Sequence, residues 1–309
     1  MQVRNRIAGV AFPSRAVVGD AVWNAFVHDH PSGWFFHTTM WLDYCLAYQP
    51  GAVDHSFGIL ENGRLIGVVP LIREGDAYTM GGEPGMAPLF AWSMSPKAWT
   101  ECWGLITEQA RMWRLERVAF RGHPSAPIFL PSTWRDIGWD TYVVDLTRPK
   151  AERWAAVRKS YHSLVNRANA DGLFVSASPF AVVKAHEVHR AVSGRETRPV
   201  ATWEAMAEWA RHGFLVVAHT TEWTAMALAI VWKRHAYYAS GAALEPNLSH
   251  GLQWALIEGL ATAPVPVETY EVGWAAKPGD SEKAQGIARF KAGWGGQLVP
   301  IAAGEWRQI

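Results

Sequence analysis

The feature of this sequence that most restricts its fold is an order of apolar runs that occurs twice. In the first half, Ser56 to Leu60 and Leu65 to Ile72 read as strands joined across Glu61-Asn62-Gly63-Arg64, where Asn-Gly favours a tight hairpin turn. A helix from about Pro96 to Arg111 follows, then strands at Arg117 to Phe120 and Thr141 to Leu146. The second half repeats the order with Phe214 to Ala218, Met226 to Trp232 and Ala236 to Ser240, a helix from Gly251 to Ala261, and a strand at Thr269 to Val272. Strands alternating with helices need a sheet covered by helices, so the pattern predicts two related α/β halves. A chain of 309 residues is long enough for both. The division is expected after residue 146, giving domains 1–146 and 147–309. Two helices open the first, one over residues 19–29 and one capped by Thr38 that runs through Trp41, Leu42 and Cys45.

Composition narrows the function classes. A formal net charge of +1 gives no global field toward nucleic acid or anionic lipid, so any anion site must be local. Cys45 and Cys102 are too few for a disulfide framework or a zinc site, which fits a reducing cytoplasm. Arg4 and Arg6 precede an apolar run that ends at Phe12, too short for a signal-peptide core, and the run Ala225 to Trp232 is far too short to span a bilayer. The expectation is a cytoplasmic protein without stable membrane insertion. The 18 tryptophans suit either a large core or a groove for sugars or bases.

Several stretches bear on chemistry. Ala284 to Gly296 sets Arg289 and Lys291 around Phe290, then places three glycines within four positions, at 293, 295 and 296. Two cations beside backbone that can approach closely suit an anionic substrate; the alternative is a solvated helix end turning into a strand at Gln297 to Ile301. A helix from about Ala151 to Ala170, stopped by Asp171-Gly172, has Trp154, Val157, Tyr161, Leu164 and Ala168 on one face and Arg153, Arg158, Lys159, Arg167 and His162 on the other. Gly81-Gly82-Glu83-Pro84-Gly85 lacks P-loop spacing and reads as a turn. His186 and His189 are three apart where a zincin helix needs four, so no metal site is assigned.

Four of these segments carry a family resemblance. Gly286-Ile287, Phe290-Lys291 and Trp294-Gly295-Gly296 resemble the G-I-x-x-F-K-x-x-F-G-G segment of FemABX-type transferases, the peptidoglycan-bridge aminoacyltransferases within the wider GNAT superfamily. Val157 to Ser160 with Arg167, Ala168 and Gly172, the stretch Trp34 to Leu42, and Thr269-Tyr270-Glu271-Val272-Gly273 are similar to other segments of that family. The resemblance implies tandem GNAT-like domains, each a mixed twisted sheet flanked by helices, with most of the active site in the second. It also implies Lys291 and Glu271 as catalytic residues, with substrate contacts at Arg158, Lys159, Arg198, Tyr238, His250, Arg289, Phe290, Gly295 and Gly296. Tyr237 to Ala242 would be the GNAT strand that splays from its neighbour. The following loop, Glu245 to Gly251, departs from the Q/R-x-x-G-x-G/A pattern of acetyl-CoA users. The function so implied is transfer of an aminoacyl group from aminoacyl-tRNA to an amine of a nucleotide-sugar, cell-envelope precursor or small metabolite, with no cofactor beyond the donor. An acyl-CoA-dependent N-acyltransferase and an inactive, glycan-binding GNAT fold are the alternatives.

Overall fold

A computed structural model of the chain describes residues 9–81, 83–124, 128, 130–169 and 172–308. Arg4, Arg6, Gly82, Ala170 and Asp171, named above, lie outside the described residues. The chain forms two compact units, Met1–Trp139 with Pro300–Ile309, and Asp140–Val299.

In the first unit the hairpin forms as the Asn-Gly signal requires. Phe57–Glu61 pairs with Arg64–Val69, and Asn62 and Gly63 take φ of 51° and 79°, the left-handed pair of a type I′ turn. Val10–Ala11 and Leu89–Phe90 complete that four-stranded sheet. A second sheet is built around Arg117–Arg121, which pairs antiparallel with Ala303–Arg307 and parallel with Ala77–Tyr78. Helices Asp20–Asp29, Thr39–Tyr48 and Pro96–Met112 accompany them, and Thr38 Oγ1 accepts from Trp41 N at 3.3 Å as the expected cap. The core gathers Phe57, Ile59, Trp103, Ile106, Val118 and Phe120.

The second unit has one seven-stranded sheet, in the order Leu173–Ser176, Leu215–Thr220, Ala225–Trp232, His235–Ala243, Thr269–Trp274, Trp139–Asp145, Gln297–Ile301. Ala225–Trp232 is covered on both faces, which explains its unbroken apolar run. Ala225, Ala227 and Ala229 join the core formed with helices Lys159–Asn169 and Leu248–Ala261; the alternating Met226, Leu228 and Ile230 point to the other face. Only the helix Leu248–Ala261 separates His235–Ala243 from Thr269–Trp274, and such a crossover makes their pairing parallel. That pairing ends at Tyr237 opposite Glu271, although the strands continue to Ala243 and Trp274. This is the expected splay.

Two expectations fail. The boundary falls before residue 146: the strand read at Thr141 to Leu146 with the first half pairs instead with Thr269–Trp274 in the second unit's sheet, and Pro300–Ile309 returns to the first unit. The helix foreseen over Ala151 to Ala170 is two helices, Lys150–Ala156 and Lys159–Asn169, because Val157 is extended at ψ 138°. The break frees the Arg158 amide to donate to Gly293 O at 2.8 Å, and His162 Nε2 lies 3.1 and 3.2 Å from the carbonyls of Trp154 and Val157 that the break exposes. Tertiary contacts here outweigh helix propensity. Arg153 consequently does not belong to a solvated basic face. It is buried, paired with Glu258 at 2.8 Å, and donates to the carbonyls of Leu146 and Arg148. No helix of the described residues is long and apolar enough to cross a membrane. Trp23, Trp34, Trp209 and Trp294 are among the largest fully buried side chains, which assigns much of the tryptophan content to the cores.

Candidate functional site

Beyond Glu271 the splay leaves the end of the strand Thr269–Trp274 without its parallel neighbour. Glu271 itself is 3 % exposed, and its Oε1 accepts from Thr141 Oγ1 at 2.8 Å. Tyr142 stands opposite Gly273 while Val143 stands opposite Glu271, so Val272 is an extra residue, a bulge that redirects the strand end. Gly273 has φ +106°, and a Cβ there would lie 2.7 Å from Lys291 Nζ. The backbone conformation demands a glycine, and a Cβ there would push the end of the lysine aside.

Lys291 sits in the last turn of the helix Glu282–Ala292, of which only Ala288 and Lys291, three apart on one face, are buried. Lys291 is 7 % exposed, with Nζ 4.7 Å from the centroid of the Trp274 ring. Among the described residues the ammonium makes no hydrogen bond or ion pair. Burial lowers its pKa from 10.5 to about 8, with the Glu271 carboxylate opposing the shift. A desolvated cation held against an aromatic face keeps its three donors unspent, and an anion entering the splay would meet them.

Tyr161 ties the other predicted residues together. Its hydroxyl accepts from Arg158 Nη1 and donates to Arg289 O, each at 3.2 Å. Its ring lies 4.4 Å from His250, 5.2 Å from Trp294 and 6.2 Å from Phe290, centroid to centroid. Burial raises the Tyr161 pKa against Arg158, and burial lowers that of His250 against the Asn247 backbone. The Arg158, Lys159 and Arg289 side chains are exposed. Arg198 is elsewhere in the unit, its guanidinium 5.0 Å from the Trp203 ring and Nη2 3.4 Å from Ser240 Oγ on the splayed strand. Tyr238, one residue past the last parallel pair, is pushed up to about 12 by burial, and its hydroxyl fills the space where a Cβ on Gly241 would be.

The glycine run approaches the chain itself. Added Cβ atoms would lie 2.2 Å from the Tyr161 ring at Gly293, 2.6 Å from Ala156 at Gly295, where φ is +76°, and 3.0 Å from Val143 backbone at Gly296. These contacts account for the glycines without a ligand. In the loop after the splayed strand, the amides of Leu248, Ser249 and His250 donate to Glu245, Pro246 and Asn247 carbonyls at 3.0, 3.3 and 3.4 Å. Thr141 and Trp274 carry no motif of their own, and the family segment that holds Gly273 does not tie it to Lys291. Only the Val272-Gly273 bulge, which needs the strand register, reveals them.

Among solved structures, FemX is similar over 94 % of this chain and 96 % of its own, at 14 % identity and TM-score 0.62. A tandem GNAT protein from the clavulanic acid biosynthesis pathway matches over 96 % and 98 %, at 15 % identity and TM-score 0.56. The C-terminal domain of a putative lysylphosphatidylglycerol synthetase from Agrobacterium fabrum matches over 78 % and 81 %, at 16 % identity and TM-score 0.51. No protein-family model and no curated protein matches the sequence. At such identities the likeness establishes the fold: this chain has the FemABX-like, tandem GNAT architecture expected from its sequence.

Proposed function

We propose that the chain is a FemABX-like transferase that moves an aminoacyl group from aminoacyl-tRNA to an amine of a nucleotide-sugar, a cell-envelope precursor or a small metabolite. The observation that carries this reading is Lys291, a buried ammonium with unspent donors at the mouth of the strand splay, beside Glu271. The acceptor's neutral amine attacks the ester carbonyl of the charged tRNA. A carbon–nitrogen bond forms, the bond from that carbon to the ribose oxygen breaks, and the amine's proton ends on the ribose hydroxyl. Lys291 holds the substrate anion, Glu271 orients Lys291, and the barrier falls through alignment and fixed charge. Two observations favour tRNA over coenzyme A: the loop lacks the acetyl-CoA pattern, and its amides, which would receive a pyrophosphate, are already spent within the turn. One solved neighbour is by name the C-terminal domain of a putative lysylphosphatidylglycerol synthetase, which accords with an aminoacyl group as the one moved.

The test incubates the protein with mixed radiolabelled aminoacyl-tRNAs and, separately, labelled acyl-CoAs, each with a small-molecule extract as acceptor. Label should leave the tRNA pool. A charge-assisted hydrogen bond in a partly dry site contributes on the order of 1.5–3 kcal/mol, so Lys291→Ala should lower catalytic efficiency by roughly 10- to 150-fold while remaining folded. Transfer from acyl-CoA alone overturns the donor; transfer from neither overturns the enzyme reading.

A further inference from the structure

The first unit contains a cavity of about 450 Å³ that shares no residue with the lysine site of the second. That volume is in the range of small-molecule sites. Phe12, Val17, Phe57, Leu60 and Met112 give it an apolar wall, and Asp54, His55 and Gln109 add polar groups.

The polar groups favour one sign of ligand. His55 Nδ1 is 2.8 Å from the Tyr78 hydroxyl, which in turn is 3.4 Å from Gln109 Oε1. Both bonds form together when His55 donates from Nδ1 and Tyr78 donates to Gln109, and that tautomer leaves Nε2 as an acceptor. Burial and the Arg73 charge lower the His55 pKa, so the ring stays neutral at pH 7. Asp54 accepts from Arg15 at 3.1 Å and from the Ser56 amide at 2.8 Å, and a carboxylate has room for about two bonds more. Arg15 is shared among three carboxylates, Asp20, Asp43 and Asp54, so negative charge is in excess around it. Gln109 and Met112 belong to the last turn of the helix Pro96–Met112, its negative end. The Arg73 guanidinium already covers the adjoining Trp113 ring at 4.9 Å, so a ligand cation would be placed by Asp54 rather than by that ring.

We propose that this cavity binds a small amphipathic amine, its ammonium held by Asp54 and His55 and its apolar body lying along Phe57, Leu60 and Met112. This site is independent of the transfer reaction proposed above. The probe is phenethylamine, with 3-phenylpropionate as its counterpart of opposite charge, each titrated calorimetrically into the full chain. Phenethylamine should bind saturably at one site, and 3-phenylpropionate at least tenfold more weakly. Val17 lines the cavity yet is 75 % exposed, so Val17→Trp adds a blocking ring without disturbing a buried contact and should abolish binding. Asp54→Asn should weaken binding at least tenfold; if loss of the Arg15 contact unfolds that variant, Val17→Trp and the anionic probe still decide. Absence of saturable binding, equal binding of the two probes, or unchanged binding in Val17→Trp overturns the proposal.

Discussion

Replacing Lys291 by methionine should make the protein more stable while disabling it. A pKa lowered from 10.5 to about 8 means that folding disfavours the charged lysine by about 3 kcal/mol. At 7 % exposure, solvent screening takes little from that figure. Methionine occupies similar space against Trp274 without the charge, but forfeits the ammonium–ring attraction, about 0.5–2 kcal/mol. The net gain at pH 7 is about 1–2.5 kcal/mol, which for a unit the size of Asp140–Val299 raises Tm by about 2–10 °C. The pH dependence has a definite sign. The folded lysine releases its proton near pH 8 and the unfolded one near 10.5, so between those values the unfolded chain binds more protons and wild-type stability climbs with pH. Below pH 8 this group adds no slope. Urea denaturation at pH 7 and pH 9.5 should therefore show the advantage of Lys291→Met shrinking at the higher pH. A variant less stable than wild type at pH 7 would show that the ammonium is a structural contact, an advantage unchanged at pH 9.5 would show that it is not desolvated, and either result refutes its assignment to a ligand.

Other outcomes rest on the same contacts. Glu271→Gln can keep the Thr141 bond but removes the charge that holds the Lys291 pKa up, so its loss in kcat/KM should be smaller than that of Lys291→Ala, with the double variant little worse than Lys291→Ala alone. If the ammonium form is required, kcat/KM should fall as pH rises past about 8, and in Lys291→Arg that fall should move to higher pH although activity is only partly restored. Gly273→Ala should cost about 1–3 kcal/mol in chemical denaturation, from its backbone angle and the crowding of Lys291 Nζ, and should depress turnover with it. Calorimetric titration with acetyl-CoA should give weak binding or none, and a micromolar constant would end the preference for a tRNA donor.

Local sequence signals located most elements of this fold. Asn62-Gly63, the Thr38 cap, the all-apolar Ala225–Trp232 and the crossover helix Leu248–Ala261 each sit where turn chemistry, capping or periodicity placed them. The break at Val157 was hidden because it serves a partner far along the chain, Gly293, and no local residue announces it. The site was legible to the same extent. Lys291 and Glu271 stand in stretches with a family pattern, whereas Trp274 and Thr141 act through strand register. The glycines at 293, 295 and 296 read in the sequence as backbone able to approach an anionic substrate, whereas what they approach in the fold is Tyr161, Ala156 and Val143, neighbours that no local signal names.

The strand Ala303–Arg307 lies between Arg117–Arg121 and Arg135–Asp136 in the first unit's sheet, and it brings Glu305, 3 % exposed, to Arg117 and Arg135. During synthesis, then, the part of the chain made first cannot complete its own sheet. Until residues 303–307 leave the ribosome, Arg117–Arg121 has an open flank with unpaired backbone groups, while every strand of the second unit has already been made. A released chain truncated ahead of residue 303 should thus present that open flank to chaperones.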